Sequence, residues 1–218
     1  MTKHLEENLD MSLRDLLAIM QQRIMTSTSY FGVKTLKNPL DFWVYQELIY
    51  AHKPDVIIEI GNNWGGSTLA LAHFLDLMNH GRVFGIDISH GKVAENVKNH
   101  PRISLIEKPA TEAYGFVKSM IDPEERVLVI EDSAHTYENT LAVLRLYGRL
   151  IKPGDLIIVE DSICHHGLAI GPNPGPFEAI EAFVKEQDQF VINRDLESFL
   201  ITWNPKGFLQ RVARHPRP

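Results

Sequence analysis

From Pro54 to Val159 the chain repeats one pattern: a short run of apolar, mostly branched residues, then a longer stretch with apolar positions three and four apart. The short runs are Val56–Ile60, Arg82–Asp87, Ile103–Ile106, Val127–Ile130 and Leu156–Val159, read as strands buried on both faces. Between them the helical spacing predicts helices over Ser67–Met78, Lys92–Lys98, Thr111–Met120 and Thr136–Leu150. Upstream, Leu13, Leu16, Leu17 and Met20 predict an amphipathic helix over Asp10–Ile24, followed by a loop from Thr26 to Pro39. Phe42, Val44, Tyr45 and Leu48 then mark a helix capped by Asp41 and closely followed by Pro54. Downstream come a helix over Pro176–Glu186, strands over Phe190–Asn193 and Ser198–Trp203 joined by a short link, and a solvated end from Arg211 to Pro218.

Strands alternating with helices imply a parallel sheet covered on both faces, and the short final link implies an antiparallel hairpin at its edge. Five β/α units closed by a hairpin are the layout of an α/β, Rossmann-like class I methyltransferase fold with a mostly parallel seven-stranded sheet. The whole chain reads as one domain, residues 1–50 being a helical extension and residues 51–212 the core.

Composition narrows the function. At 218 residues and 44% hydrophobic the chain can bury a full core, and a net charge of −6 argues against a nucleic-acid binder with a basic face. The single cysteine, Cys164, excludes an intrachain disulfide and reads as a buried filler, although it follows an acidic strand end. No apolar run is long enough to span a membrane, and the N-terminal residues lack the apolar core of a signal peptide. A cytoplasmic protein is expected.

The candidate chemistry lies at the carboxyl ends of the strands, where open α/β sheets bind ligands. The first strand ends in Glu59-Ile60-Gly61 and passes through Asn63 and Gly65-Gly66 to Ser67, which opens a helix whose free N–H groups face the crevice. The spacing is not Gly-x-Gly-x-x-Gly. Asp87, followed by Ile88, ends the second strand and can accept ribose hydroxyls. Glu59 can hold an amino-acid end or cap loop amides. A ribose with a cationic sulfonium fits these acids better than a pyrophosphate, so S-adenosylmethionine is expected rather than NAD.

Asp132 ends the fourth strand, and Glu160-Asp161 ends the fifth. Three crowded carboxylates repel unless neutralised, which suits Mg²⁺ or a similar divalent cation. The other reading is that one or two of them merely cap helices. His135, three residues past Asp132, is placed to act as a general base. His73, His80, His90 and His100 read as surface or capping residues. His165 and His166 stand before a loop, Gly167–Pro176, long enough to form a lid; ligand, base and plain loop all stay open for them.

Several segments together resemble the cephalosporin hydroxylase family. They are Phe31–Glu47, Ile58-Glu-Ile-Gly61 with Gly65-Gly-Ser67, Glu131-Asp-Ser-Ala-His135, Ile158-Val-Glu-Asp161, Gly175-Pro-Phe-Glu-Ala-Ile180 and Gly207-Phe-Leu-Gln-Arg-Val212. The likeness runs from about residue 30 to 212. Despite its name, that family is similar to S-adenosylmethionine-dependent O-methyltransferases, including antibiotic-modifying and rhamnosyl enzymes. The resemblance implies metal ligands at Asp132, Glu160 and Asp161, with Asp132 also beside the cofactor. The arrangement is also similar to catechol O-methyltransferase, whose base lysine position corresponds here to His135. Many relatives carry Gly-Asp after the third strand, whereas this chain has Pro109 at the acidic position, so adenine recognition falls to backbone groups or to Thr111.

The resulting expectation is metal-assisted methyl transfer to a hydroxylated small molecule. Polar loop residues suit a sugar or polyol acceptor; Trp64, Phe177 and Trp203 suit an aromatic or macrolide one. Three rivals stand beside it: a metal-dependent hydroxylase using His165, His166 and Asp161, a non-catalytic cofactor-binding partner, and an NAD-binding module. Residues 1–40 could serve a homo-oligomeric interface.

Overall fold

The structure, a computed structural model, describes residues 4–213. Helix α1 (Leu13–Ser27) starts at Ser12, whose hydroxyl accepts the Asp15 N–H at 3.2 Å. The segment expected as loop holds a small hairpin, β1 (Ser29–Tyr30) and β2 (Val33–Lys34), turned at Phe31 and Gly32. Helix α2 (Pro39–His52) is capped by Asn38 rather than Asp41, with Pro39 in the first turn, where no intrahelical N–H is needed. Asp41 is buried instead, accepting from Thr202 Oγ1 at 2.5 Å and from the Trp203 N–H at 2.8 Å.

The alternating core follows as β3 (Val56–Ile60), α3 (Gly66–Met78), β4 (Arg82–Asp87), α4 (Glu95–Lys98), β5 (Ile103–Glu107), α5 (Ala110–Ser119), β6 (Val127–Glu131), α6 (Tyr137–Tyr147) and β7 (Leu156–Val159). Helix α7 (Pro176–Glu186), β8 (Phe190–Ile192) and β9 (Phe208–Arg211) close the described chain. The sheet has seven strands in the order β5-β4-β3-β6-β7-β9-β8. β5 to β7 pair in parallel, and β9 lies antiparallel to both β7 and β8.

The closing hairpin therefore uses Phe208–Arg211, not Ser198–Trp203. The Trp203 N–H is held by the Asp41 carboxylate and its carbonyl by the Ile163 N–H, so this stretch builds the site wall instead of a ladder. Arg211 is part of β9, donating to Gln189 Oε1 and to the Ile151 carbonyl, and is not a free tail. Residues 214–218 lie outside the described part.

Alternation along the strands splits the core. Val56, Ile58 and Ile60 face a cluster with Leu141, Tyr147, Ile180 and Phe183. Ile57 faces the opposite cluster, with Leu48, Ile49, Leu71 and Leu75. The same alternation puts Glu59 on the side of α2 and α3. A third cluster seats α1, through Leu17 and Ile24, on Ile163, Leu168 and Trp203. No helix of the described residues is long and apolar enough to cross a membrane.

Candidate active site

After β3 the chain connects in one direction to β4 and β5, then returns to the other side of β3 for β6 and β7. The carboxyl ends of β3 and β6 thus flank the switch point, where a crevice must open. A cavity of about 750 Å³ lies there. One part is lined by Gly61, Asn63, Gly66, Ser67, Asp87 and Thr111, and another by Asp132, His135, Asp161, Cys164 and Trp203.

Two glycines are needed for reasons the sequence did not distinguish. Gly61 has φ +87°, and a Cβ there would meet the Asp132 carbonyl at 2.1 Å. A Cβ on Gly66 would lie 2.0 Å from Thr35 Oγ1, so this glycine admits the β2–α2 segment to the crevice. Helix α3 begins at Gly66 with Gly65 as its cap, one residue ahead of the expected Ser67. Asp87 accepts the Asn63 N–H on Oδ2 at 2.8 Å and the Ser89 N–H on Oδ1 at 3.3 Å, and still lines the cavity. Ile88 is 75% exposed at the mouth, and Pro109 caps α5 beside Thr111.

Glu59 is fully buried and does not line the cavity. Its Oε2 accepts the Thr68 hydroxyl at 2.5 Å, and its Oε1 lies 3.7 Å from Lys37 Nζ. Lys37 is the residue that sequence reasoning missed. It sits just before α2, far from the strand ends in sequence, yet its ammonium donates to Asp132 Oδ2 at 2.5 Å and to Glu160 Oε1 at 2.6 Å. Burial by itself would lower its pKa, but the charges of Asp132, Glu160 and Glu59 outweigh burial and raise it, keeping it an ammonium. Burial, then Glu160, pushes Asp132 well above the usual carboxylate range. Burial pushes Glu160 up to about 7 against the pull of Lys37.

His135 adopts φ +55° after β6, a left-handed turn that swings its ring back over the acids. Its Nε2 lies 3.3 Å from Asp161 Oδ2 and 3.7 Å from Asp132 Oδ1. Burial lowers its pKa, so the ring is neutral at neutral pH and can accept a proton. Asp161 also takes a positive φ, 55°, and its carboxylate faces His135.

The donor set fits a divalent cation in part. Asp132, His135 and Asp161 each offer a ligand atom within 4.8 Å of the others, whereas the Glu160 carboxylate is engaged by Lys37. Three carboxylates, Glu59, Asp132 and Glu160, surround one ammonium, and Asp161 adds a fourth beside His135, an excess of acid that suits a further cation.

The remaining candidates separate clearly. His165 turns to the Gly171 carbonyl at 3.1 Å, and His166 to Glu178 at 2.6 Å, stacking on Phe177 at 3.6 Å. His90 is buried against Asn62 at 3.1 Å rather than lying on the surface. Cys164 is buried and touches the cavity, its thiol pushed up to about 11 by burial. Trp64 and Trp203 line the cavity and Phe177 does not, while Ile170 and Gly171 bring the expected lid loop to its edge. Helix α1 adds Gln21, Ile24 and Met25 to the wall, and Gln21 Oε1 accepts the Trp203 indole N–H at 2.6 Å. Below the floor, Glu131 is buried beneath Ser133 and Asn139, which donate to it at 2.6 and 3.2 Å.

A switch-point crevice with a carboxylate at the end of β4, an acidic group at the ends of β6 and β7 and a closing antiparallel pair defines a Rossmann-like methyltransferase fold. Residues 22–212 match the family model described as Rhamnosyl O-methyltransferase/CmcI, and the chain belongs to that family. It is 32% identical over 198 residues to the rhamnosyl O-methyltransferase of Mycobacterium leprae (strain TN), covering 86% of this chain and 85% of that protein. Against the rhamnosyl O-methyltransferase of Mycobacterium tuberculosis (strain ATCC 25618 / H37Rv) the identity is 31% over 195 residues, covering 86% and 80%. The solved Mg-SAM structure of cmcI shares the fold at a TM-score of 0.68, with 21% identity over 85% of this chain and 77% of its own. Family membership makes the chain an O-methyltransferase, as the motifs led us to expect.

Proposed function

We propose that the protein transfers a methyl group from S-adenosylmethionine to a hydroxyl of a small-molecule acceptor, with a divalent cation such as Mg²⁺ at the acidic cluster. The observation that carries this reading is one crevice joining Asp87 to the pair Asp132–Asp161, with a neutral His135 between the acids. The cofactor specificity is supported by the Mg-SAM complex of cmcI, and a sugar acceptor by the rhamnosyl relatives.

When bound, the donor supplies an electrophilic methyl on a sulfonium, and the cation lowers the pKa of the acceptor hydroxyl. Asp87 receives the ribose hydroxyls while the Asn63 N–H holds its carboxylate in place. Gly61 and Gly66 make room for the Asp132 backbone and for Thr35 in the crevice wall, and Ser67 presents the first turn of α3. Asp132 and Asp161 orient the acceptor side, and the surrounding negative charge favours a sulfonium. His135 Nε2 takes the hydroxyl proton, and its place between two carboxylates stabilises the imidazolium that results. Gln21, Met25 and Trp203 shape the acceptor end. Rate comes mainly from alignment and electrostatics.

Titration calorimetry with S-adenosylmethionine, followed by a screen of hydroxylated acceptors with methyl-labelled donor, tests the reading. Binding with label transfer that is lost in Asp132→Asn is expected; no donor binding, or transfer undiminished in Asp132→Asn, refutes it. Exposed Leu13 and Leu16 on α1 further support self-association through the N-terminal segment, to be checked by light scattering.

A further inference from the structure

The crevice is acidic inside and basic at its rim. Lys34 at the end of β2, Lys92 ahead of α4 and Lys108 directly after β5 are exposed, and all three line the cavity together with Trp64. The Lys34 and Lys92 ammoniums each lie 5.2 Å from the centre of the Trp64 ring, so one half-buried indole gathers two positive charges from separate segments. Both segments are held in place. Val33 and Val93, their neighbours in sequence, are buried, and a Cβ on Gly66 would come within 2.5 Å of the Lys34 carbonyl. Among the described residues none of the three lysines has a carboxylate partner: Asp87 accepts from Asn63 and Ser89, and Glu107 from the His90 N–H at 2.7 Å.

These charges do not serve the methyl donor. S-adenosylmethionine carries a sulfonium, an ammonium and one carboxylate, a net cation that a positive rim repels. Its one carboxylate is provided for by the first turn of α3, where the cap Gly65 has no side chain and leaves the N–H groups of that turn open. Two like charges over one ring also repel each other, and a cation–π contact at an exposed site offsets that only weakly. An anion set between them relieves the repulsion and gains charge-assisted hydrogen bonds. Resting on the methyltransferase reading above, we propose that the acceptor is acidic: it carries a phosphate, sulfate or carboxylate group that Lys34 and Lys92 hold beside Trp64 while its hydroxyl reaches into the crevice. Lys108 adds a third positive charge to the rim. Lys34 and Lys92 are thus specificity-determining residues, which select the charge of the acceptor and take no part in the proton or methyl transfer.

Inorganic pyrophosphate is the probe, titrated in metal-free buffer into the full chain already saturated with S-adenosylhomocysteine and followed by calorimetry. The native chain is expected to bind it. Lys34→Gln/Lys92→Gln is expected to bind it about tenfold or more weakly, the worth of one hydrogen bond to a charged group. Both lysines are exposed, so the fold does not depend on them. The affinity of the double variant for S-adenosylhomocysteine is expected to stay within about threefold of the native value, because the donor lies deeper than the rim. No pyrophosphate binding to the saturated native chain, or binding that the double variant keeps within about threefold, overturns the proposal. Pyrophosphate binding only in the absence of S-adenosylhomocysteine, or a double variant that loses S-adenosylhomocysteine about tenfold, assigns the lysines to the carboxylate of the donor and overturns it too. A native chain that fails to bind S-adenosylhomocysteine at all overturns the methyl-donor reading itself, a result distinct from a loaded chain that ignores pyrophosphate.

Discussion

The replacement Gln21→Leu isolates what holds α1 over the acceptor end of the cavity. Trp203 is 4% exposed, and its indole N–H has the Gln21 side chain as acceptor at 2.6 Å. Taking that acceptor away strands a buried donor, a cost of about 1–3 kcal/mol. The helix is otherwise anchored by two buried side chains, Leu17 and Ile24, each contributing about 1.5–3 kcal/mol, with Met20 partly buried beside them. One hydrogen bond is therefore a substantial fraction of the attachment, and losing it should raise the opening equilibrium of α1 about 5- to 150-fold. Hydrogen–deuterium exchange over residues 13–27 reads this directly, with β3 as an unchanged internal reference. The double variant Gln21→Leu/Trp203→Phe removes donor and acceptor together and should recover most of the protection, because no polar group is left stranded. Unchanged exchange over α1 in the single variant, or a double variant no better protected, would refute the reasoning. Donor affinity should not move in either, since Gln21 and Trp203 stand at the other end of the crevice from Asp87.

Asp87→Ala should weaken S-adenosylmethionine binding by about 10- to 150-fold, the worth of about 1.5–3 kcal/mol for hydrogen bonds to a charged group; calorimetry showing a change under about threefold counts against the ribose role. His135→Gln should lower kcat about 10²–10⁴-fold. Because burial lowers the His135 pKa, native kcat/KM should fall only as pH drops through a value below 6.5, and the variant should lack that limb. Glu131 is buried, with its carboxyl pushed up from 4.5 to about 8 by burial. The folded chain thus keeps a proton that the unfolded chain releases, so stability declines as pH rises from about 4.5 to 8, by at most about 5 kcal/mol. Melting curves of Glu131→Gln should show a flatter slope over that window; an identical slope would exclude Glu131 as its source.

Much of the framework was legible because it rests on local rules. The strands of the parallel sheet are buried on both faces, so their apolar runs stand out without any knowledge of pairing, and β3, β4 and β7 appear with the expected bounds. The hairpin was misplaced for a physical reason. Ser198–Trp203 and Phe208–Arg211 are both short and partly apolar, and the choice between them was made by a distant carboxylate, Asp41, which claims the Trp203 backbone. Asp41 misled in the same way, since an acid near a helix start reads as a cap when nothing reveals that it is buried. Pro39 in the first turn left the cap to Asn38.

The sequence by itself determined that acids stand at the ends of successive strands and that a glycine loop follows β3, because strand ends and loop composition are local properties. Only the tertiary structure decided how those acids are used. The positive φ at His135 and Asp161 turns these two side chains together, and alternation along β3 sends Glu59 under α3 to Thr68 instead of into the cavity. Lys37 reaches Asp132 and Glu160 across 95 and 123 positions of sequence. Nothing near Lys37 announces that meeting, because the distance between a side chain and its partner is set by how α2 packs against the sheet, and the sign of the charge there is decided by that packing.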